Sequence, residues 1–297
     1  MTIQVTAIGE ILFDVYPDYK KLGGAPFNFM YHIWKLTGTG SFISRIGADE
    51  EATEILKLLE SRKFDVSNIQ VDKKFRTGEV KVKLDANKVP EFEIIQNRAY
   101  DYIEESNALT ELVVNSDLLY FGSLAQRNET SRTTIQSLAN KANKVFCDLN
   151  IRQNFYNKEI INNSLEKSNA VKLNSDELNL VNELLLNHDY ELVSSAQLLL
   201  KKYKLDLLCI TKGSDGAYLF NESNYSHHKT TVPEIIDTVG AGDAYAAMMC
   251  IGYLNKWELE KINRLASEFA AAVCRIKGAI SDDEKLYENF IRKIINE

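Results

Sequence analysis

Four short apolar runs recur through the middle of the chain, and each ends in polar or glycine residues. Leu118-Leu119-Tyr120-Phe121 leads into Gly122-Ser123, and Val145-Phe146-Cys147 into Asp148-Leu149-Asn150. Ala170-Val171-Lys172-Leu173 leads into Asn174-Ser175, and Leu207-Leu208-Cys209-Ile210 into Thr211-Lys212-Gly213. Strands apolar on both faces belong to parallel sheets with helices on either side. Helical patterns fall between the runs, at about 127–143, 176–186 and 190–203. This alternation, with right-handed crossovers, predicts a doubly wound α/β fold. Ligands of such sheets bind outside the carboxyl ends of the strands, where these polar residues fall. Turn chemistry alone puts polar residues there too, so one such end says little and four in succession say more.

A second constraint is the run Asp237-Thr238-Val239-Gly240-Ala241-Gly242-Asp243, followed at once by apolar residues from Ala244 to Leu254. It reads as a tight turn opening a buried helix. Glycines let a backbone approach a ligand closely. The unpaired N–H groups of a helix's first turn favour an anion such as phosphate. A carboxylate placed there can take a proton from an incoming hydroxyl. The same pattern also suits an Asp that merely caps a helix.

Two segments stand outside the β-α alternation. Glu10 to Asp18 reads as extended and precedes Lys20-Lys21-Leu22-Gly23-Gly24-Ala25-Pro26. Further on, Val80, Val82 and Leu84 alternate with Lys81 and Lys83; after a turn at 85–90, Phe92 and Ile94 alternate with Glu91 and Glu93. This is an amphipathic hairpin. Its apolar face must cover a site, a second subunit or the chain's own core.

Composition narrows the partners. With 297 residues, 45% of them hydrophobic, the chain suits one large α/β domain or two smaller ones. A net charge of -7 without a basic block argues against nucleic acid or an anionic membrane. An anion such as ATP then needs a local positive site. Cys147, Cys209, Cys250 and Cys274 each lie in apolar runs and form no C-x-x-C, which predicts buried thiols in a cytoplasmic protein. The start MTIQVTAIGE lacks the basic and apolar regions of a signal peptide. The four histidines show no metal spacing.

The motifs together resemble the PfkB-type, ribokinase-like sugar kinases over essentially the full length, and bacterial fructokinases most. In order they are Gly9-Glu10-Ile11-Leu12-Phe13-Asp14, Gly23-Gly24-Ala25-Pro26-Phe27-Asn28, Gly47-Ala48-Asp49 and Asp148-Leu149-Asn150-Ile151-Arg152. Lys172-Leu173-Asn174-Ser175-Asp176-Glu177, Thr211-Lys212-Gly213-Ser214-Asp215-Gly216 and the Asp237 to Asp243 run follow. The P-loop pattern G-x-x-x-x-G-K-[ST] is absent.

The resemblance implies one domain over 1–297: a three-layer α/β/α core with a mostly parallel sheet, and a small β-sheet lid from about 11–26 and 76–103. It implies transfer of the ATP γ-phosphoryl group to a sugar hydroxyl with Mg²⁺, best matched by D-fructose going to fructose 6-phosphate. Alternatives are 2-keto-3-deoxygluconate, ribose or another small sugar, and a silent sugar-binding regulator. Asp243 matches the catalytic base, and Gly240, Ala241 and Gly242 the anion hole. Asp14, Gly24, Asn28, Gln96, Arg98 and Arg152 match sugar contacts; Asn174, Thr211, Gly213 and Gly216 match the nucleotide wall. Glu177 matches a residue that reaches Mg²⁺ through water, and Asp237 with the Val239 carbonyl a K⁺ site. The bland alternatives stay open: Asp14 as a turn residue, Gly23-Gly24 as a flexible link, Gln96 and Arg98 as solvated side chains, and Asn174 with Glu177 as a capping box. The expected assembly is a monomer, or a homodimer formed through the lid.

Two departures stand out. Glu50, Glu51 and Ala52 occupy a stretch where the family has a glycine, which bears on local loop shape. Phe27 replaces a small residue and is expected to narrow the sugar site.

Overall fold

The computed structural model describes residues 3–84, 90–232 and 234–296. Among them are thirteen strands: β1 (Val5–Ile8), β2 (Leu12–Val15), β3 (Lys20–Gly23), β4 (Ser41–Gly47), β5 (Ile69–Asp72), β6 (Gly78–Leu84), β7 (Pro90–Ile94), β8 (Leu118–Gly122), β9 (Val145–Asp148), β10 (Ala170–Asn174), β11 (Leu207–Thr211), β12 (Ala217–Phe220) and β13 (Tyr225–His228). The four apolar runs are β8 to β11. They sit in the middle of a nine-stranded sheet ordered β13-β12-β11-β10-β9-β8-β1-β4-β5. Pairing is parallel from β11 to β5, and β12 and β13 add an antiparallel edge that the sequence reading did not foresee.

The alternation of side chains along these strands builds two cores. Leu118, Tyr120, Phe146 and Cys209 point into one, and Leu119, Phe121, Cys147 and Ile210 into the other. Successive strand residues face opposite sides, so strands apolar throughout require cover on both. Helices α1 (Ala25–Thr37), α2 (Glu50–Ser61), α8 (Ala241–Leu254), α9 (Leu259–Val273) and α10 (Glu284–Asn296) cover the first face. Helices α3 (Asn107–Val114), α4 (Glu129–Ala139), α5 (Lys158–Glu166), α6 (Ser175–Val181) and α7 (Leu192–Tyr203) cover the second. The predicted helix 176–186 is α6 followed by a wider turn, closed by Asn187 N on Asn182 O at 2.9 Å. All four cysteines are buried and free. No helix of the described residues is long and apolar enough to cross a membrane.

A second sheet, ordered β3-β2-β6-β7, lies apart from the first. The predicted hairpin is its β6–β7 pair, while β2 pairs with β6 in parallel (Leu12↔Gly78) and with β3 antiparallel (Asp14↔Lys21). Residues 85–89 of the expected turn lie outside the described residues. Val80, Val82 and Ile94 are buried, and Val80 and Ile94 join the core around Ile8, Leu12 and Tyr100. Thus part of the hairpin's apolar face rests on the chain's own core. Phe92 is the exception, 45% exposed.

Both departures prove structural. Phe27 is fully buried, with ring centroids 5.8 Å from Phe42, 5.9 Å from Phe64 and 6.0 Å from Tyr31. It packs the core and does not narrow the sugar site. Glu50 and Glu51 open α2 behind the N-cap Asp49, which accepts from Ala52 N at 2.9 Å. Two acidic residues in a first turn suit the helix dipole.

Candidate active site

The strand ends converge as the sheet's register dictates. Lys172 is the partner of Asp148 across β9 and β10, and Asn174 of Thr211 across β10 and β11. The turn 237–242 then delivers α8 to the same rim. Gly240 adopts φ +79°, and a Cβ there would fall 2.4 Å from the Ala279 Cβ. Only glycine fits this bend against the neighbouring loop.

Asp243 stands in the first turn of α8, half-buried. Asn28, on α1, donates its Nδ2–H to Asp243 Oδ2 at 2.8 Å, which joins the glycine-rich start of the chain to the turn near its end. Burial raises the Asp243 carboxyl to about 6; the Asp148 charge adds to this, while Asn28, Lys172 and Arg152 oppose it. Asp14 is raised to about 6 by burial, against the pull of Lys21 and Arg152. It gains its room from Gly23, where a Cβ would lie 2.9 Å from Asp14 Oδ2. Gly24 bends at φ +111°, and a Cβ there would meet the Glu10 carbonyl at 2.4 Å. The Gly23-Gly24 pair is therefore fitted backbone, not a flexible link. Arg152 is exposed, on a loop where Asn150 and Gln153 hold positive φ, and its charge reaches Asp14, Glu10 and Asp243.

Of the amides expected to form an anion hole, those of Gly240, Ala241 and Gly242, one is engaged within the turn. Ala241 N donates to Thr238 O at 3.3 Å, so this amide is engaged in the turn. The next amides, of Gly242 and Asp243, are first-turn donors of the kind a helix leaves over. Beneath them lies a buried ion pair: Lys172 Nζ donates to Asp148 Oδ1 at 2.9 Å and to Oδ2 at 2.8 Å, and Tyr120 adds its hydroxyl at 3.1 Å. A Cβ on Gly242 would come within 3.3 Å of that ammonium.

The other expected residues divide. Asn174 and Glu177 form a capping box, with Glu177 N on Asn174 Oδ1 and Asn174 N on Glu177 Oε2, both at 2.8 Å. Glu177 Oε1 accepts from Ile151 N at 2.6 Å. Its carboxylate thus holds the start of the Arg152 loop. Gly213 has open space where a Cβ would be. At Gly216 a Cβ would strike His228 O at 2.1 Å, so only glycine fits against β13 there. Thr211 is half-buried at the rim, its hydroxyl 3.4 Å from Leu173 O. Gln96 is exposed, and Arg98, just beyond β7, pairs with Glu79 of β6 at 3.0 Å.

Three residues gain importance that the sequence reading gave no role. Glu10 is buried with Oε2 unpartnered; burial and the Asp243 charge lift it to about 7, against a backbone hydrogen bond, Arg152 and Arg127. Lys172 read as part of a strand and of a family motif, with no role of its own. Lys21 donates to Asp237 Oδ2 at 3.0 Å. Partners this far apart in sequence leave no local signal.

Metal ions fit unevenly. Among the described residues no group of three or more His, Cys, Asp or Glu could hold a metal ion. Mg²⁺ is commonly held by substrate phosphates with few carboxylates, so an ion carried by the nucleotide needs no cage here. At Asp237 the fit is poor. Oδ1 accepts from Val239 N at 3.1 Å, and Oδ2 from Lys21 and from Gly278 N, both at 3.0 Å. A K⁺ on this carboxylate would meet the Lys21 ammonium.

The model of the pfkB family carbohydrate kinases matches residues 5–286. A fructokinase of Escherichia coli is 26% identical over 301 residues, covering 95% of this chain and 96% of its own. The crystal structure of an uncharacterized sugar kinase from Pyrococcus horikoshii gives a TM-score of 0.82 at 25% identity, covering 98% of this chain and 99% of its own. That protein has also been solved with ATP, with a TM-score of 0.81 at 24% identity over 98% and 99% of the two chains. A fructokinase from Vibrio cholerae O395, solved with fructose, ADP and potassium ion, gives 0.81 at 20% identity over 97% and 98%. A family match over nearly the whole length is decisive: this chain belongs to the pfkB family of carbohydrate kinases.

Proposed function

We propose that the chain transfers the γ-phosphoryl group of ATP to the 6-hydroxyl of D-fructose. The observation that carries this reading is the Asn28–Asp243 hydrogen bond, which fixes a poised carboxylate between the sugar-side glycines and the anion-binding turn. Asp14 accepts sugar hydroxyls, and Asn28 and the Gly24 backbone complete that wall. Asp243 accepts a hydrogen bond from the reacting hydroxyl and aims its oxygen at phosphorus. Its raised affinity for protons suits it to take the proton late, as the new P–O bond forms. The Gly242 and Asp243 amides hold charge on the transferred group. Mg²⁺ on the nucleotide supplies further charge neutralisation. Asn174, Thr211 and Gly213 border the nucleotide. The small sheet, within 11–26 and 76–103, closes as a lid; Gln153 Nε2 already reaches Phe92 O at 2.6 Å. The fructokinases among the relatives support the sugar.

The exposed Arg152 guanidinium favours one second reading, 2-keto-3-deoxygluconate, whose carboxylate it could pair. Initial rates of ADP release with Mg²⁺-ATP and equal subsaturating fructose, ribose, glucose and ketodeoxygluconate decide. Fructose should be turned over fastest; a faster rate on ketodeoxygluconate would transfer the assignment to the keto acid.

A further inference from the structure

We propose that the Lys21 ammonium is a built-in cation of the phosphate-binding turn, standing where a monovalent metal ion would otherwise sit on Asp237 and tying the turn to the small sheet. The proposal rests on the kinase reading of that turn and concerns how the turn is held.

Asp237 opens the turn, and its carboxylate gathers three segments. Oδ1 takes Val239 N of the turn itself; Oδ2 takes Gly278 N of the loop before α10 and Lys21 Nζ of β3. The Gly278-Ala279 loop is also the wall against which Gly240 bends, so the carboxylate sets the distance between that wall and the turn. Both side chains of the Lys21–Asp237 pair are only 19% exposed. Burial works against the Asp237 charge, yet the Val239, Lys21 and Gly278 contacts hold its carboxyl below the usual range. A carboxylate kept charged in such a setting needs a resident positive charge, and Lys21 is that charge. A metal ion on the same oxygen would stand beside an ammonium, where like charges repel.

Lys21 is also the register partner of Asp14, and its charge pulls the raised Asp14 carboxyl down. One ammonium therefore serves a sugar-side carboxylate and the phosphate-binding turn together. The stacked Tyr16 and Tyr19 rings, 4.4 Å apart, flank it at 5.7 and 5.8 Å. Lys21 is a positioning residue: it acts through Asp237 on amides that face the phosphoryl group.

The test compares wild type, Lys21→Met and Lys21→Arg in KCl and in tetramethylammonium chloride at equal ionic strength, by melting temperature and by initial rate. Wild type should melt and turn over alike in both salts. Lys21→Met should lose kcat by roughly tenfold without K⁺, less than the 10²–10³ that outright loss of an anion-hole donor costs. K⁺ or ammonium should restore most of its rate and raise its melting temperature, because an ion that binds only the native state stabilises it. Lys21→Arg should stay close to wild type in both salts. A wild type that gains rate or melting temperature specifically with K⁺ would overturn the proposal, as would a Lys21→Met loss that no cation repairs. If Lys21→Met does not fold, the wild-type and Lys21→Arg salt comparisons still decide. The melting arm needs no sugar, so failure to phosphorylate any sugar would count against the kinase reading and leave this test standing.

Discussion

Asp237 and Asp243 stand at the two ends of one turn and have opposite chemistry. Asp237 is met by two backbone amides and an ammonium, which hold its carboxyl low against the effect of burial. Asp243 has one donor, Asn28, and is pushed up to about 6 by burial with the Asp148 charge behind it. The difference lies in donor supply together with the deeper burial and the Asp148 charge at Asp243. A carboxylate saturated with donors serves to hold backbone. One left short of them retains affinity for a proton, as a base must.

The contrast is broken most severely at Asp243. Asp243→Asn should lower kcat by roughly 10²–10⁴ while fructose and ATP still bind by calorimetry. In wild type, kcat/KM should fall on the acid side as pH drops through about 6, where Asp243 takes up a proton. A variant that binds both substrates and turns over within about threefold of wild type would reduce Asp243 to a helix-start residue, since a true base costs far more.

Lys172→Met comes next. It strands the Asp148 carboxylate beneath the turn without its ion-pair partner, and urea unfolding should report a loss of roughly 3–5 kcal/mol. It also removes a charge that opposes protonation of Asp243, so the acid limb of kcat/KM should move to higher pH. An unmoved limb would mean that this pair does not reach the base electrostatically.

The smallest effect belongs to Glu10. Its ordinary value is 4.5, and it is lifted to about 7 in the fold. Between those values the native chain keeps a proton that the unfolded chain has released, so this carboxyl lowers stability as pH rises through that window. The deficit is absent below about 4.5 and complete above about 7. Glu10→Gln should therefore be more stable than wild type at pH 8, by roughly 1–3 kcal/mol, and lose that advantage by pH 4. Equal stabilities at both pH values would show that Glu10 finds a partner in solution.

The fold was legible wherever its cause was local. Leu118 to Phe121 and its three counterparts announce strands by being apolar on both faces. The glycine turn announces a helix start, because backbone bends leave residue-type signatures. The β6–β7 hairpin was readable from its period of two. Pairing between distant segments was not: nothing near Leu12 says that it will lie beside Gly78. The site divides the same way. Asp243 and Asn28 could be picked out by motif, but their hydrogen bond joins opposite ends of the chain. Gly213 and Gly216 look alike in sequence, and only the approach of β13 tells the open one from the packed one. The capping box of Asn174 and Glu177 was readable from their spacing, but the third contact, Ile151 N on the Glu177 carboxylate, comes from a distant strand end and left no local signal.

The small sheet's parallel β2–β6 pair has a kinetic meaning. Its two strands come from stretches of chain separated by α1, β4, α2 and β5, so the sheet cannot form as a local hairpin and then dock. Closing so long a loop is entropically unfavourable until the intervening segment has packed, and contacts of this kind form late. The small sheet is therefore completed only after the segment between its two strands has packed.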